Sequence, residues 1–526
     1  MKGMTIINNG FIKFMEANIN SVYTRSIDNR NIDNTDYDVI LLVGQAGDTR
    51  TFDRYAGPHR IATELRQDGF KVQIIYGLNF YPHNELIELL DTFISSTTLC
   101  IGISTTFLAY FSDTQYALPK PKPNIFPDNI KEICLYFKQK YKKLKIVMGG
   151  HRSKYKTPNS NNLIDAFFEG YSDLTFKNYI KNLKNNKIFL GQQHFIDVEG
   201  KNFDFKNSTI EYTVDDNIFQ NESLTIELTR GCIFKCKFCA YPLLGRNAKD
   251  DSWIKKHDII YKELMTNYER FGTTNYVFSD DTYNDSLTKI QYLYDIFSKL
   301  PFKINFATYL RLDLLYRYPE MIHILKESGL AAGFFGIETF HPYAKKTIGK
   351  GLDTNKLLQA LENCNKIWSD EVVIRDSFIY GLPGETIDTM KNWTDDIIFG
   401  SGLFDKHGVV VRPLTLTNYP NVYQSEFERE VSKYGYTNGP KGYDWTNQVT
   451  NYYECSDLAD ETNRKLDSTP RPFPSFSIPV LLGYGFTKKE LYYMNHVDPL
   501  VNEKINNMTA QRYYDYKKQF LHKNST

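Results

Sequence analysis

Cys232-Ile233-Phe234-Lys235-Cys236-Lys237-Phe238-Cys239 sets three thiols within eight residues, directly after the apolar run Leu224 to Leu228. Thiolates are soft ligands, and three on one tight loop can hold three irons of a cubane cluster while the fourth keeps no protein ligand. A structural zinc site needs a fourth Cys or His, usually in a second ligand pair, and neither the isolated cysteines nor the nearby histidines form one. The inner pair Cys236 and Cys239 also reads as a redox Cys-x-x-Cys, which would leave Cys232 a bystander. A four-cysteine ferredoxin pattern is absent. The open-cluster reading uses all three thiols and expects a strand before them and a helix after them.

Downstream, strands and helices alternate. Helical stretches are expected at Trp253 to Tyr268, Leu287 to Leu300, Pro319 to Glu327, Thr354 to Ile367 and Thr386 to Ile398, between strands at Asn275 to Phe278, Lys303 to Ala307, Ala332 to Ile337, Val372 to Tyr380 and His407 to Val411. Six such units make a partial barrel, whose chemistry belongs at the carboxyl ends of its strands. Ser279-Asp280-Asp281, Arg311, Glu338 and Gly381-Leu382-Pro383-Gly384-Glu385 fall at or soon after those ends. Asp281 also reads as a helix N-cap or turn residue, and Glu385 as a first-turn acid on the following helix.

Upstream, residues 37 to 200 alternate as well. Strands are expected at Asp38 to Val43, Lys71 to Tyr76, Leu99 to Ser104 and Lys145 to Met148, with helices at Ile61 to Gln67, Asn84 to Phe93 and around Asn129 to Lys140. This pattern predicts a mostly parallel, doubly wound sheet with ligands at its carboxyl edge.

Composition bounds the partners. Lys plus Arg number 63 against 62 Asp plus Glu, a net charge of +1, so no global field draws in nucleic acid or a membrane surface. The basic run Lys138 to Lys145 reads as a solvated helix face. No stretch approaches the ~18 apolar residues of a membrane span, and the N-terminus shows no uninterrupted apolar core. The chain is expected to be soluble, cytoplasmic and not exported. Beyond the triplet, Cys100, Cys134, Cys364 and Cys455 stand singly, which suits a reducing compartment and not a disulfide framework. The last region is rich in Tyr and Asn, with a break at Thr469-Pro470-Arg471-Pro472-Phe473-Pro474. It is expected to cover the open mouth of the barrel, with Tyr443, Trp445, Tyr452 and Tyr453 either lining a pocket or packing as core.

The spacing Cys-x-x-x-Cys-x-aromatic-Cys, with Phe238 as the aromatic, resembles the signature of the radical S-adenosylmethionine (SAM) superfamily. Gly57-Pro58, Gly102-Ile103-Ser104, Val147-Met148-Gly149-Gly150-His151 and Ile164-Asp165-Ala166-Phe167-Phe168-Glu169-Gly170 resemble the cobalamin-binding domain that precedes the barrel in one branch of it. The resemblance implies an α/β chain: an N-terminal extension (1–36), a Rossmann-like cobalamin-binding domain (37–200), a linker (201–221), a partial (β/α)6 barrel (222–411) and a mixed or helical C-terminal domain (412–526) that contributes to substrate choice.

It also implies a [4Fe-4S] cluster on Cys232, Cys236 and Cys239, whose open iron chelates SAM, and reductive cleavage of SAM to a 5'-deoxyadenosyl radical. Asp280 would then take the SAM ammonium, Arg311 its carboxylate and Glu338 its ribose, with Phe238, Gly381 and Leu382 nearby. Ser104, Thr105, Gly149, Gly150 and Glu169 would surround cobalamin. The Asp-x-His-x-x-Gly motif that supplies an axial histidine is missing. His59 and His151 are expected near the ligand loops, each read more readily as a solvated side chain than as a ligand.

The implied function is cobalamin-dependent methyl transfer to an unactivated carbon of a small molecule or peptide, with an electron donor such as flavodoxin or ferredoxin. The alternatives are a radical cyclisation, rearrangement or oxidation without methyl transfer, and a non-enzymatic cobalamin or iron–sulfur sensor.

Overall fold

Val39–Val43, with the sequence VILLV, is buried at all five positions, as a parallel strand covered on both faces must be. The structure is a computed structural model and describes residues 36–45, 51–78, 83–105, 128–150, 162–200, 202–241, 243–417 and 423–522. In it this strand, β1, pairs with β2 (Val72–Tyr76) on one side and β3 (Cys100–Ser104) on the other. β4 (Lys145–Gly149), β5 (Ala166–Gly170) and β6 (Gln193–Asp197) extend a six-stranded parallel sheet of order β2-β1-β3-β4-β5-β6. The order reverses between β1 and β3, and ligands of such sheets bind outside the carboxyl ends at that reversal.

The sequence reading ends its strands at β4. β6 escapes it because Gln193, His194 and Asp197 leave the edge strand half-exposed, with little apolar signal.

The second sheet is also parallel, with its strands in chain order: β7 (Leu224–Ile226), β8 (Asn275–Phe278), β9 (Asn305–Leu310), β10 (Leu330–Glu338), β11 (Val373–Tyr380) and β12 (Gly408–Pro413). β7 and β12 are its two edges, so the barrel is open. The helix after the cysteines runs His257–Phe271, later than expected, behind a short turn at Asp251–Trp253. Helices Leu312–Arg317 and Pro342–Ile348 are too short to show a period in sequence.

Side-chain alternation along these strands defines a lumen. Phe335 stacks on Trp368 and Phe378 lies against Trp393, both tryptophans belonging to the helical layer. The alternate residues therefore face inward. Register sets Tyr309 beside Phe334 and Phe334 beside Arg375 in one layer. Gly336, Ser377 and Val410 form the next, with Ile379 and Arg412 above them.

The last region is placed differently from the expectation that it covers the mouth. Phe473, Ile478 and Leu481 share a buried cluster with Ala307, Ala332 and Val373, so the helix Ile478–Gly483 fills the amino-terminal end of the lumen. The small alanines leave the room for it. The short helix Glu426–Arg429 does reach the cysteine loop, where Lys237 pairs with Glu426 at 2.5 Å. Helix Pro499–His522 then returns to the first sheet, burying Tyr513, Tyr516 and Phe520 in its core. There the guanidinium of Arg54 lies 4.8 to 4.9 Å from the rings of Phe52, Tyr76 and Tyr516 and pairs with Glu222 at 2.8 Å. Among the described residues no helix is long and apolar enough to cross a membrane.

Candidate active site at the carboxyl ends of the two sheets

The cysteine loop leaves β7 through Gly231, at φ +75°, where a Cβ would lie 2.7 Å from that of Leu243. The turn closes here because glycine tolerates both constraints. Cys232 N–H donates to Leu243 O at 3.1 Å, and Gly245 and Arg246 N–H return to Cys232 O at 2.7 and 3.1 Å. Lys237 N–H donates to Ile348 O at 3.2 Å, and Phe427 N–H to Lys237 O at 3.1 Å, so the rim is held by both the barrel and the C-terminal region.

Burial pushes the Cys232 thiol up and the Cys239 thiol up to about 12; Cys232 senses the charge of Cys236, and Cys239 that of both others. The sulfurs thus share one space, and a cationic group there would reverse the preference for the protonated thiol. Among the described residues no three His, Cys, Asp or Glu side chains converge closely enough to hold one ion. Three thiolates on one loop suit an iron–sulfur cluster with one iron left open.

The residues expected at SAM divide into two groups. Asp280 is fully buried and faces its own sheet: its carboxylate accepts from Leu228 N–H at 2.9 Å, Thr229 N–H at 3.1 Å and the Thr229 hydroxyl at 2.6 Å, with the Lys289 ammonium 3.6 Å away. This geometry assigns Asp280 to the backbone that leads into the cysteines and leaves it no free face for an ammonium. Asp281 is half-buried, and Ser286 in its place caps the helix Leu287–Phe297. Burial, then the charges of Glu227 and Asp280, push its carboxyl up to about 7, so a cation would be welcome beside it.

Arg311 grips Asp313 at 3.0 and 2.7 Å, lies 3.8 Å from the Phe234 ring and points Nη1 at Cys236 Sγ, 3.4 Å away. It is therefore turned toward the cysteine loop. Glu338 holds φ +71° at the end of β10, inside a three-residue turn closed by Thr339 N–H to Ile337 O at 3.0 Å. Lys350 fixes its carboxylate at 2.9 Å and stands 5.7 Å from the Phe238 ring.

Gly381 and Leu382 do not border open space. Gly381 lies under Trp445, whose ring atoms would be 2.6 Å from an added Cβ, and Leu382 is fully buried. Trp445 itself is buried with Tyr443 and Tyr452, so these aromatics pack as core. Glu385, expected to serve its helix, instead accepts from Thr339 Oγ1 at 2.5 Å and Leu382 N–H at 3.0 Å, tying the ends of β10 and β11 together. Burial pushes its carboxyl up to about 7.

On the first sheet, Ser104, Thr105, Gly149, Gly150 and Glu169 gather at the carboxyl ends of the adjacent strands β3, β4 and β5. Thr105 N–H donates to Gly149 O at 2.8 Å and Gly150 N–H to Phe168 O at 3.1 Å. Glu169 is buried and meets His194 at 3.0 Å. His59 is not solvated: it is wholly buried in the helix Ala56–Gln67, 4.1 Å from the Tyr212 ring and 3.6 Å from Asp216. It therefore has no face toward a ligand. His151 lies outside the described residues.

Sequence reasoning missed Arg230, one residue before Gly231. It pairs with Asp173 at 2.9 Å and Glu227 at 2.9 Å and lies 4.3 Å from the Tyr171 ring; Arg60 adds contacts to Asp173 at 3.8 Å and Glu227 at 3.5 Å. Asp173 and Tyr171 follow β5, while Glu227 follows β7. The carboxyl ends of the two sheets are thereby joined across one buried network. Sequence distance hid it, because each member alone is an ordinary charged residue.

Residues 226–397 match the radical SAM superfamily. A 170-residue stretch is 28% identical to the hopanoid C-2 methylase of Rhodopseudomonas palustris and covers 31% of each chain. Another of 211 residues is 26% identical to the ribosomal protein uS12 methylthiotransferase RimO of Carboxydothermus hydrogenoformans, covering 39% of this chain and 44% of that one. The chain thus spans less than half the length of these curated relatives.

Its fold superimposes on the radical SAM methyltransferase TsrM of Kitasatospora setae, solved with cobalamin and a [4Fe-4S] cluster, with a TM-score of 0.61 at 13% identity over 90% of this chain and 100% of that one. The cobalamin-dependent SAM radical enzyme OxsB, with aqua-cobalamin and SAM bound, gives a TM-score of 0.53 at 14% identity over 92% and 80%. At these identities the likeness is one of fold, from the first sheet through the barrel. The stretch that matches the radical SAM family runs from the end of β7 through the helix after β11, most of the barrel.

Proposed function

We propose that this chain is a cobalamin-dependent radical SAM methyltransferase acting on an unactivated carbon of an organic substrate, a small molecule or peptide. The observation that carries this reading is the buried Arg60, Asp173, Glu227 and Arg230 network, which turns the carboxyl ends of the two sheets toward each other. A reaction that uses one cofactor on each sheet needs such an arrangement. When bound, the cluster, SAM and cobalamin supply hydrogen-atom abstraction and a transferable methyl group.

The chain's own residues bind and orient these groups. Cys232, Cys236 and Cys239 hold three irons, with the Thr282 hydroxyl 3.2 Å from Cys232 and Arg311 beside Cys236. Asp281 replaces Asp280 as acceptor of the SAM ammonium, and Glu338, braced by Lys350, accepts the ribose hydroxyls. Ser104, Thr105, Gly149 and Gly150 line the corrin face of the first sheet, and Glu169 steadies that edge through His194. Residues 37–200 serve as the cobalamin domain, 222–411 as the barrel, and 412–526 close the substrate chamber. The protein works in the cytoplasm with a flavodoxin- or ferredoxin-type reductant.

The test is anaerobic incubation of reconstituted protein with methyl-labelled SAM and reductant, scoring deoxyadenosine and S-adenosylhomocysteine together. Both products, with label in a third compound and loss of deoxyadenosine in Cys236→Ala, are expected. Deoxyadenosine alone would replace methyl transfer by a cyclisation, rearrangement or oxidation. No deoxyadenosine would overturn the reading.

A further inference from the structure

The lumen floor has a chemistry that neither the cluster nor SAM explains. Tyr309, Phe334 and Phe476 form a continuous aromatic surface: Tyr309 lies 5.2 Å from Phe334 and 4.6 Å from Phe476, and the two phenylalanines stack at 5.9 Å and 19°. Phe476 comes from the C-terminal region and the other two from β9 and β10. Tyr309 is 37% exposed, although it points inward from a central strand, so the space above it is open. In the layer above, Ser377 is small enough to keep it open, while Glu338 and Lys350 fill the space over Gly336.

Two guanidinium groups face the same space. Arg375 shares the floor layer with Phe334, and Arg412 stands opposite Ile379 on the edge strand β12. Arg412 is exposed, and among the described residues no carboxylate pairs with it. The charges of Arg412, Arg375 and Asp281 all act on the Tyr309 phenol, which places the three around one chamber. Two arginines above an aromatic floor match a planar or apolar molecule that ends in an anion.

We infer that the substrate carries a carboxylate or phosphate that docks on Arg412, with Arg375 beside it, while its apolar portion lies on Tyr309, Phe334 and Phe476. This deepens the reading above and rests on it. SAM also has a carboxylate, but Arg412 belongs to β12, the sheet edge opposite the one that carries the cysteines. The anion is therefore assigned to the substrate.

Benzoate, phenyl phosphate and neutral benzamide serve as probes, their binding to the full-length, anaerobically reconstituted protein measured by saturation-transfer NMR titration. Both anions should bind more tightly than benzamide, and Arg412→Gln should weaken them about tenfold or more, the cost of a lost charge-assisted hydrogen bond. Arg412→Lys should restore phenyl phosphate more than benzoate, because lysine keeps the charge and loses the fork. An unchanged circular dichroism spectrum would show that the variants fold.

Equal binding of benzamide and the anions would overturn the inference. So would anion binding that ignores Arg412→Gln, or a loss of SAM affinity as large as the loss for the anions, which would assign Arg412 to SAM. Deoxyadenosine formation by the unsubstituted protein reports separately on the underlying reading: product without anion binding removes this inference alone.

Discussion

Asp280→Ala separates two roles that the same carboxylate has been given. If Asp280 is a backbone clamp, its removal leaves the N–H groups of Leu228 and Thr229 without an acceptor inside the sheet and the buried Lys289 with one of its two carboxylates, Asp285 at 3.6 Å. An orphaned buried donor costs about 1–3 kcal/mol, and breaking a buried charge pair costs about 3–5 kcal/mol. These overlap at one site and Asp285 still faces Lys289, so the expected loss is about 2–4 kcal/mol of the barrel's stability. With a urea m-value of about 2–3 kcal/mol/M, the barrel transition should move down by roughly 1–2 M. Asp280→Asn keeps one oxygen for the two backbone donors and should lose less.

The assay is urea unfolding of the cluster-free protein, followed by tryptophan fluorescence, beside a SAM titration of the reconstituted protein. Cluster-free protein has no SAM to bind, so a ligand residue would leave its midpoint in place. An unchanged midpoint together with a tenfold weaker SAM affinity would refute the clamp and return the ammonium to Asp280.

Other perturbations follow from single contacts. The Glu385 carboxyl, pushed from 4.5 up to about 7 by burial, keeps a proton that the unfolded chain has lost. Its contribution is therefore full below about pH 4.5 and is lost as pH rises toward 7, up to ~3 kcal/mol. Glu385→Gln should flatten that part of the pH dependence, and equal slopes in urea midpoints between pH 5 and 8 would argue against it. Arg311→Met removes an N–H donor 3.4 Å from Cys236 Sγ and should move the midpoint potential of the reconstituted cluster negative by tens of millivolts, at ~59 mV per tenfold for one electron. A spectroelectrochemical titration with no shift would free Arg311 for another role. Gly381→Ala places a Cβ 2.6 Å from Trp445 at φ +87° and should cost about 2–4 kcal/mol, part of it recovered by Trp445→Leu in the same chain. No recovery in thermal unfolding would show that backbone strain alone sets the cost.

Strands were legible where local chemistry repeats what the fold requires. Val39–Val43 is apolar throughout because both its faces are covered, and β8 to β12 announce themselves by apolar runs ending in polar loops. The cysteine triplet was legible for the same reason: a ligand set on one loop is a local pattern. What stayed hidden depends on partners far away in sequence. Asp280 and Asp281 are neighbours with the same side chain, and only the fold turns one toward Leu228 and the other toward the lumen. Arg412 reads as one more surface arginine until the register with Ile379 turns it inward. The helix Pro499–His522 has too even a polar pattern to reveal that Tyr513, Tyr516 and Phe520 return to the first sheet.

The network between the sheets sets two arginines, Arg60 and Arg230, against two carboxylates, Asp173 and Glu227, so its charge is balanced. Buried ion networks add little net stability over well-packed apolar groups, because desolvation offsets most of the attraction. Their directional hydrogen bonds do, however, penalise sliding in a way that apolar contact does not. At this place sliding matters more than stability, since Arg230 is two residues from the first thiol and Asp173 three residues beyond the carboxyl end of β5. A shift of one sheet against the other would change the separation between the cysteine loop and the edge that carries Ser104 and Gly149. A radical formed on one side must reach a substrate carbon that is also within reach of the other, so the charged seam keeps constant the distance on which the chemistry depends.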